Sequence, residues 1–409
     1  MNNEESPMNN FPNPLHDLHQ QAEAEFQPYD QLEIVTTFDE PQAEYAATRK
    51  GCGLMDLPQR GVLELTGKDR HAFLNNLLTN QTFNKETKTG LQAGQVVYSF
   101  FLNLQGRIVA DMNVIELGDR TLIEMDVRLV EPIRETFDKY LFAEDVKLTN
   151  RVGQLHEIAL YGPRSLEVLG KNLEPMTNMT LEMFGGHIVI WRDDITASPG
   201  LHILVPSSHA RQLWMDHVTL WGQSAEIGKR MLRPIGWAAF NAARIEAARP
   251  ILGVDYESAP PQTAHPGKAQ REEALTAAQS EAPGGIASPQ IRGILPAETS
   301  QLSRAVSFTK GCYLGQEIVA RMYARGQVAK QIVGIKMNDD ALPMAGSHIL
   351  DASGNAIGVI TSSTVSPILS SIAIALGTVK KPFFAEGTTV HVPAEGSVRE
   401  AKVVKTPFV

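Results

Sequence analysis

The alternation of apolar and polar positions sets the first boundaries in this chain. Residues 61–67 (GVLELTG) alternate with the two-residue period of a strand and end in a glycine. Asp69 to Leu78 then carries Phe73, Leu74, Leu77 and Leu78 at helical spacing, so a helix with one apolar side follows. Residues 95–102 (QVVYSFFL) and 107–115 (RIVADMNVI) flank a turn holding Asn103 and Gly106, which predicts a hairpin. Thr121 to Val127 reads as a strand, and Leu129 to Leu141, with Ile133, Phe137 and Leu141 four apart, as a helix. His156 to Leu160 repeats the strand signal, Gly162-Pro163 breaks it, and Arg164 to Leu169 reads as a helix. Residues 200–205 look extended and Ser207 to Trp221 helical. Strands and helices thus mix without a Rossmann or P-loop glycine fingerprint, which predicts an α+β class rather than a doubly wound nucleotide fold.

After Arg325 the pattern changes to short extended runs: Gln331 to Met337, His348 to Leu350, Ala356 to Thr361, Ile372 to Val379, Thr388 to Val392 and Ala401 to Lys405. Short strands punctuated by turns predict a small barrel or sandwich over residues 326–409, closing against the larger domain. Residues 1–30, rich in Asn, Glu, Gln and Pro, predict a disordered tail, with order beginning near Phe38 or Tyr45. Between them lies a core over 31–325, interrupted at about 258–290 by an apolar-poor insertion in which Arg271 to Ala278 reads as a short helix.

Composition narrows the function classes. With 409 residues, 43% apolar and 20% charged, the chain is long enough for two or three domains of an ordinary globular kind. Its net charge of -9 argues against a broad nucleic-acid surface, which needs concentrated Lys and Arg. Cys52 and Cys312 are its two cysteines, too few for a disulfide framework, and they fit a reducing compartment. The first residues lack the basic and apolar regions of a signal peptide, and apolar runs are far too short for a membrane span, so the expectation is a cytoplasmic protein with no membrane contact.

Three groups of residues could carry chemistry. Cys312 lies in Lys310-Gly311-Cys312-Tyr313-Leu314-Gly315-Gln316-Glu317, a polar turn bracketed by glycines, with Arg321 nearby. A cation brought to the sulfur would favour thiolate, giving a reactive or metal-ligating cysteine; the other reading is a small side chain packed in a tight turn. A lone cysteine cannot hold an iron–sulfur cluster, and no HExxH or Cys-x-x-Cys pattern offers a metal site. Cys52, among Gly53, Leu54 and Met55, reads as structural. Arg244-Ile245-Glu246, followed by Arg249 and Asp255, would put Arg244 and Glu246 on one side of an extended segment. Such a pair could grip a ligand's carboxylate and its aminopyrimidine edge, or form an internal ion pair. Asp111, in the hairpin strand, shares a side with Asn113 opposite Ala110, Met112 and Val114; it faces either solvent or a pocket, where desolvation would raise its pKa.

The segments KGCYLGQE (310–317) and RIEAARPILGVD (244–255) resemble the YgfZ family of folate-binding proteins, relatives of the glycine-cleavage T protein. GRIVADMNV (106–114), Leu295 to Glu298 and Gly358 to Ser362 support the resemblance, which covers about residues 40–409. It implies two intertwined α+β units and a small β-barrel around a central channel that accepts tetrahydrofolate or a one-carbon derivative, with no permanently bound metal. It further implies that Cys312 is the functional thiol and that the protein supports assembly or repair of iron–sulfur enzymes, including those that thiolate tRNA, so its partners are such enzymes or cluster carriers. Glu246 corresponds to the pterin-gripping glutamate of the aminomethyltransferases, and Arg321 falls where they place a cation for the folate tail; Arg244, Arg249, Lys310 and Gln316 complete the expected cofactor contacts. Aminomethyltransferases carry two adjacent aspartates where this chain has Ala110-Asp111. Because Asp111 retains one carboxylate, the alternative is a tetrahydrofolate-dependent aminomethyltransferase or demethylase.

Overall fold

The computed structural model describes residues 11–222, 231–261, 293–326 and 328–409. Order begins much earlier than the composition suggests. His16–Gln21 form a helix, and Glu25–Tyr29 pair with Leu32–Thr37 as a hairpin. Instead of a tail, residues 11–30 are anchored to the body: His19 is fully buried, with its ring edge-on to Phe38 and Trp214 and its Nε2 3.0 Å from Asp56 Oδ2. Scattered aromatic and histidine anchors do this where composition alone signals disorder. The insertion and its expected helix at 271–278 lie outside the described residues.

Two antiparallel-dominated sheets form the core. The first runs Lys147–Asn150, Arg60–Thr66, Thr121–Asp126, Ile108–Glu116, Val96–Leu102 in spatial order. The second runs Asn178–Met183, Gly186–Arg192, Gly200–Pro206, Leu155–Tyr161, Cys52–Asp56, Leu232–Pro234, its last pair parallel. Strand Cys52–Asp56 enters the second sheet just before Arg60–Thr66 opens the first, so the two α+β units are intertwined.

Each sheet buries one face under helices. Phe73, Leu74 and Leu77 of helix Arg70–Leu77, and Val130, Ile133 and Phe137 of helix Val127–Asp138, cover Ala110, Met112 and Val114. Ala210, Leu213 and Trp214 of helix Ser207–Trp221 cover Ile158, Leu160, Ile203 and Val205 of the second sheet. The other faces turn toward one another, where Val62, Val96, Ile115 and Leu122 meet Val189, Trp191 and Leu204. Strand alternation therefore sends the odd residues Asp111 and Asn113 into the space between the sheets.

The C-terminal domain is a closed six-stranded barrel rather than a sandwich, with Lys330–Met337 pairing to both Ile372–Lys380 and Ser397–Val404. Closure removes free strand edges, and Ile335, Met337, Ile349, Ile360, Val390 and Val403 fill the interior. Residues 237–246 form a helix, not the extended segment expected from the Arg-x-Glu spacing. The run WAAFNAARIE carries four alanines, whose helix propensity is the highest of all residues. Gln316–Arg325 is a further helix that begins directly after the cysteine turn. No helix among the described residues is long and apolar enough to cross a membrane.

Candidate functional site

The space between the sheets holds a concentration of buried polar groups. From the first sheet, Asp111 receives a hydrogen bond on Oδ2 from Tyr98 Oη at 2.8 Å and a longer one from Tyr256 Oη at 3.4 Å. Asn113 donates through Nδ2 to Glu124 Oε2 at 2.9 Å, and Glu124 pairs with Arg60. From the second sheet, Glu157 Oε1 lies 2.8 Å from His202 Nδ1, and the His202 ring stacks on Trp191 at 5.0 Å. Arg60 acts electrostatically on both Asp111 and Glu157, so the buried groups of the two sheets form one polar cluster. Arg304 closes another side, pairing with Asp193 while its guanidinium sits 3.9 Å from the Tyr98 ring centroid.

Five buried atoms of this cluster have no hydrogen-bond partner among the described residues: Asp111 Oδ1, Asn113 Oδ1, Glu157 Oε2, His202 Nε2 and Trp191 Nε1. A buried polar atom left unpaired costs about 1–3 kcal/mol, so a cluster of them calls for polar partners, which ordered water or a polar ligand can supply. Burial is the largest influence on Asp111 and raises its pKa even though Arg60 and the Tyr98 hydroxyl oppose it. Burial likewise raises Glu157, with the Glu124 charge adding to it. For His202, burial favours the neutral ring, but Glu157, Asp193 and Glu124 outweigh it and raise the pKa. Of the two sequence readings of Asp111, the solvent-facing one is not realised, because the residue is buried between the sheets.

The Arg244 to Asp255 segment sits elsewhere, at the joint with the barrel. Arg244 is fully buried and donates to Asp255, to Asn241 Oδ1 at 2.7 and 2.9 Å, and to the Arg249 carbonyl at 3.1 Å. Asp255 Oδ1 accepts from Thr361 Oγ1 at 2.7 Å and Ser362 Oγ at 2.6 Å on a barrel strand. Glu246 accepts from Tyr45 Oη at 2.7 Å, from Arg49 and from the Ser366 hydroxyl. On a helix, positions 244 and 246 point in different directions, so these two residues do not face one side together and do not pair with each other. Both are consumed in protein contacts. The Arg249 guanidinium, half-buried, donates no hydrogen bond among the described residues; burial lowers its pKa and Arg304 lowers it further, while Asp193 and Tyr98 oppose.

Cys312 occupies a third place. Its residue is exposed, and it lines a cavity of about 420 Å³ with Phe73, Leu77, Tyr140, Glu144 and Leu314. Tyr313 packs with Tyr98 and Phe100 on one side of the sheet edge, while Leu314 leans on the helix-covered side. The turn therefore wraps the edge strand Val96–Leu102, and the cavity lies beside the helices, on the opposite side of the sheet from Asp111. Gly315 is required there: at φ +76° a Cβ would stand 2.7 Å from Asn103 O and 3.0 Å from Gly106 Cα, so the hairpin turn and the cysteine turn meet glycine to glycine.

The cations near Cys312 in sequence are otherwise engaged. Lys310 Nζ turns inward to the carbonyls of Asn75 at 2.7 Å, Asn80 at 3.0 Å and Leu78, holding the end of helix Arg70–Leu77. Burial, with Lys85 nearby, lowers its ammonium to about 7. Arg321 pairs with Glu317 at 2.6 Å on an exposed helix face. Gln316 is half-buried, its backbone N–H donating to Tyr313 O at 3.2 Å. Cys52 is the structural cysteine anticipated, fully enclosed with burial pushing its thiol up to about 12.

Sequence reasoning missed Glu157, His202, Trp191, Asp193 and Arg304. A signal existed in Glu157, which breaks the apolar run His156 to Leu160, and in His202, which breaks Gly200 to Pro206. Polar residues at inward-facing strand positions mark a buried polar cluster, but only the packing of the two sheets against one another shows that they share it.

Residues 15–264 match the GCVT N-terminal domain, and residues 330–409 the glycine cleavage T-protein C-terminal barrel domain. An aminomethyltransferase of Chloroherpeton thalassium is 26% identical over 406 residues, covering 97% of this chain and 98% of that protein. One from Geobacillus sp. is 27% identical over 389 residues, covering 92% of each. The crystal structure of glycine cleavage system aminomethyltransferase T from Bartonella henselae superposes with a TM-score of 0.77 over 97% of both chains at 23% identity, a likeness of fold.

Proposed function

Since the chain belongs to the glycine-cleavage T-protein family, we propose that it binds a reduced folate between its two sheets and transfers a one-carbon unit to or from it, in the manner of an aminomethyltransferase. The observation that carries this reading is the set of five unpartnered buried atoms around Asp111. They suit a reduced pterin: the carboxylate and amide oxygens of Asp111, Asn113 and Glu157 accept from its amino and ring N–H groups, and Trp191 Nε1 donates to a ring acceptor. Tetrahydrofolate supplies the nitrogens that accept carbon. Asp111, fixed through Oδ2 by Tyr98, keeps Oδ1 for the ligand and can hold or release a proton there. Arg249 serves the acidic end of the ligand, whereas Glu246 and Arg244 act as joint residues. Incubating the protein with tetrahydrofolate and an aminomethylated donor should yield methylene-tetrahydrofolate, with the donor's amino group leaving as ammonia; failure of tetrahydrofolate to bind would overturn the reading.

Cys312 favours a second reading, support of iron–sulfur enzymes in the cytoplasm, because an exposed thiol on the rim of a cavity has no part in one-carbon transfer at Asp111. In this reading folate still binds between the sheets, and a cluster enzyme or carrier docks at the outer side of the sheet, where the helix carrying Gln316 and Arg321 follows the thiol. Cys312→Ala should then bind folate normally while failing to restore iron–sulfur enzyme activity. A fully restoring C312A protein would remove this reading and leave the transferase.

A further inference from the structure

We propose that Lys310 is the positioning residue of Cys312, fixing the thiol against the helix that forms one wall of its cavity. The inference rests on the second reading above, in which Cys312 is the functional thiol, and adds the group that presents it. Phe73 and Leu77, which line the cavity together with Cys312, belong to helix Arg70–Leu77. The end of a helix leaves carbonyls without intrahelical partners, and both hydrogen bonding and the helix dipole favour a cation there. Lys310 Nζ takes this place, donating to the carbonyls of Asn75 at 2.7 Å, Asn80 at 3.0 Å and Leu78. An ammonium has three N–H donors, and these three acceptors use them all.

On the other side of the thiol, Leu314 N–H donates to Asn76 O at 3.3 Å, so the cysteine turn is tied to the same helix end before and after the sulfur. Between these ties, Gly311 and Cys312 make no backbone hydrogen bond among the described residues, and the Lys310 N–H reaches Ser307 Oγ at 3.3 Å. The lysine side chain therefore carries the leading half of the hold, and with it the place of the thiol. Two groups face the ammonium. The Tyr313 ring covers it at 4.9 Å, and Lys85 repels it from beside Gly311, where an added Cβ would lie 3.4 Å from Lys85 Nζ. Burial and that repulsion bring Lys310 down to about 7. A neutral amine keeps two donors for three carbonyls, so the hold should loosen as pH rises through that value.

The test is the selectivity of Cys312 in disulfide exchange, its rate with a dipyridyl disulfide divided by its rate with hydroxyethyl disulfide. One thiolate attacks both reagents, so its ionised fraction cancels, and a peptide of residues 308–317 gives the ratio for an unheld thiol. At about pH 6 the wild-type ratio should exceed the peptide's about fivefold or more, because a thiol held over the cavity brings the aryl ring onto Phe73 and Leu77. Lys310→Met should fall to the peptide's ratio, with the enclosed Cys52 still unreactive as the sign that the protein is folded. In wild type the preference should fade as pH rises through about 7, and Lys85→Gln should carry the fading to higher pH. A wild-type ratio no greater than the peptide's, or a folded K310M with the wild-type ratio, overturns the proposal. If K310M does not fold, a wild-type ratio that is flat from about pH 6 to 9, or a fading that K85Q leaves unmoved, overturns it. These measurements read the thiol alone, so the iron–sulfur reading fails separately, through a fully restoring C312A protein.

Discussion

Tyr98 Oη donates to Asp111 Oδ2 at 2.8 Å, which leaves Oδ1 of the same carboxylate buried with no partner. One oxygen is thus spent on position and the other is kept. Asp111→Asn preserves the shape and removes the charge. Because the folded protein raises the carboxyl's pKa, Asp111 subtracts from stability as pH climbs from its unfolded value toward its folded one. D111N should therefore be at least as stable as wild type at neutral pH by urea unfolding. Folate affinity or one-carbon transfer should drop about 5- to 150-fold if the ligand donates to Oδ1, from the loss of about 1–3 kcal/mol.

The two thiols should differ sharply in reactivity. Cys312 is exposed, whereas Cys52 is enclosed and its thiol is pushed up to about 12. A chromogenic disulfide reagent at neutral pH should titrate one thiol in the native protein and a second only after denaturation. Cys312→Ala should abolish the native signal and change stability by less than about 0.5 kcal/mol, as for other surface substitutions.

Asp255 joins the core to the barrel through the buried Arg244 guanidinium and two barrel hydroxyls. Asp255→Ala strands the guanidinium without its counter-charge, a change that costs about 3–5 kcal/mol. Denaturant unfolding should show that loss. A stability within about 1 kcal/mol of wild type would mean that water or Asn241 replaces Asp255.

Acid should weaken the fold through Glu116. Burial alone would raise its carboxyl, but hydrogen bonds from His71, Thr121 and Arg70 prevail and hold it at about 2. A depressed carboxyl contributes stability that is complete above its unfolded pKa and is lost as pH falls through the folded one. For Glu116 that window runs from about pH 4.3 down to about pH 2. Urea unfolding across the window should lose stability steadily, and Glu116→Gln should flatten the slope.

Much of the architecture was legible in local pattern. The hairpin around Gly106, the Ser207–Trp221 helix and the six barrel strands follow from period and turn residues, which are local properties. Strand Cys52–Asp56, buried on both faces, gives no alternation to read. The Trp237–Glu246 helix is signalled by its four alanines, while the Arg-x-Glu spacing at its end has the period of a strand. At the site, Asp111 was visible as a carboxylate inside an apolar strand. Its partners were not, because Tyr98 and Tyr256 reach it from 13 and 145 residues away. Glu246 shows the converse: a motif residue whose carboxylate is taken up by Tyr45, Arg49 and Ser366, partners supplied by segments remote in the chain.

The hydroxyls of Thr361, Ser362 and Ser366 answer two carboxylates buried in the larger domain. A foreign barrel grafted after residue 329 would have to carry equivalent hydroxyls at those three positions, or leave Asp255 and Glu246 short of donors. Despite their separate outlines, the two parts should therefore be inherited and swapped as one piece, and chimaeras should be cut elsewhere.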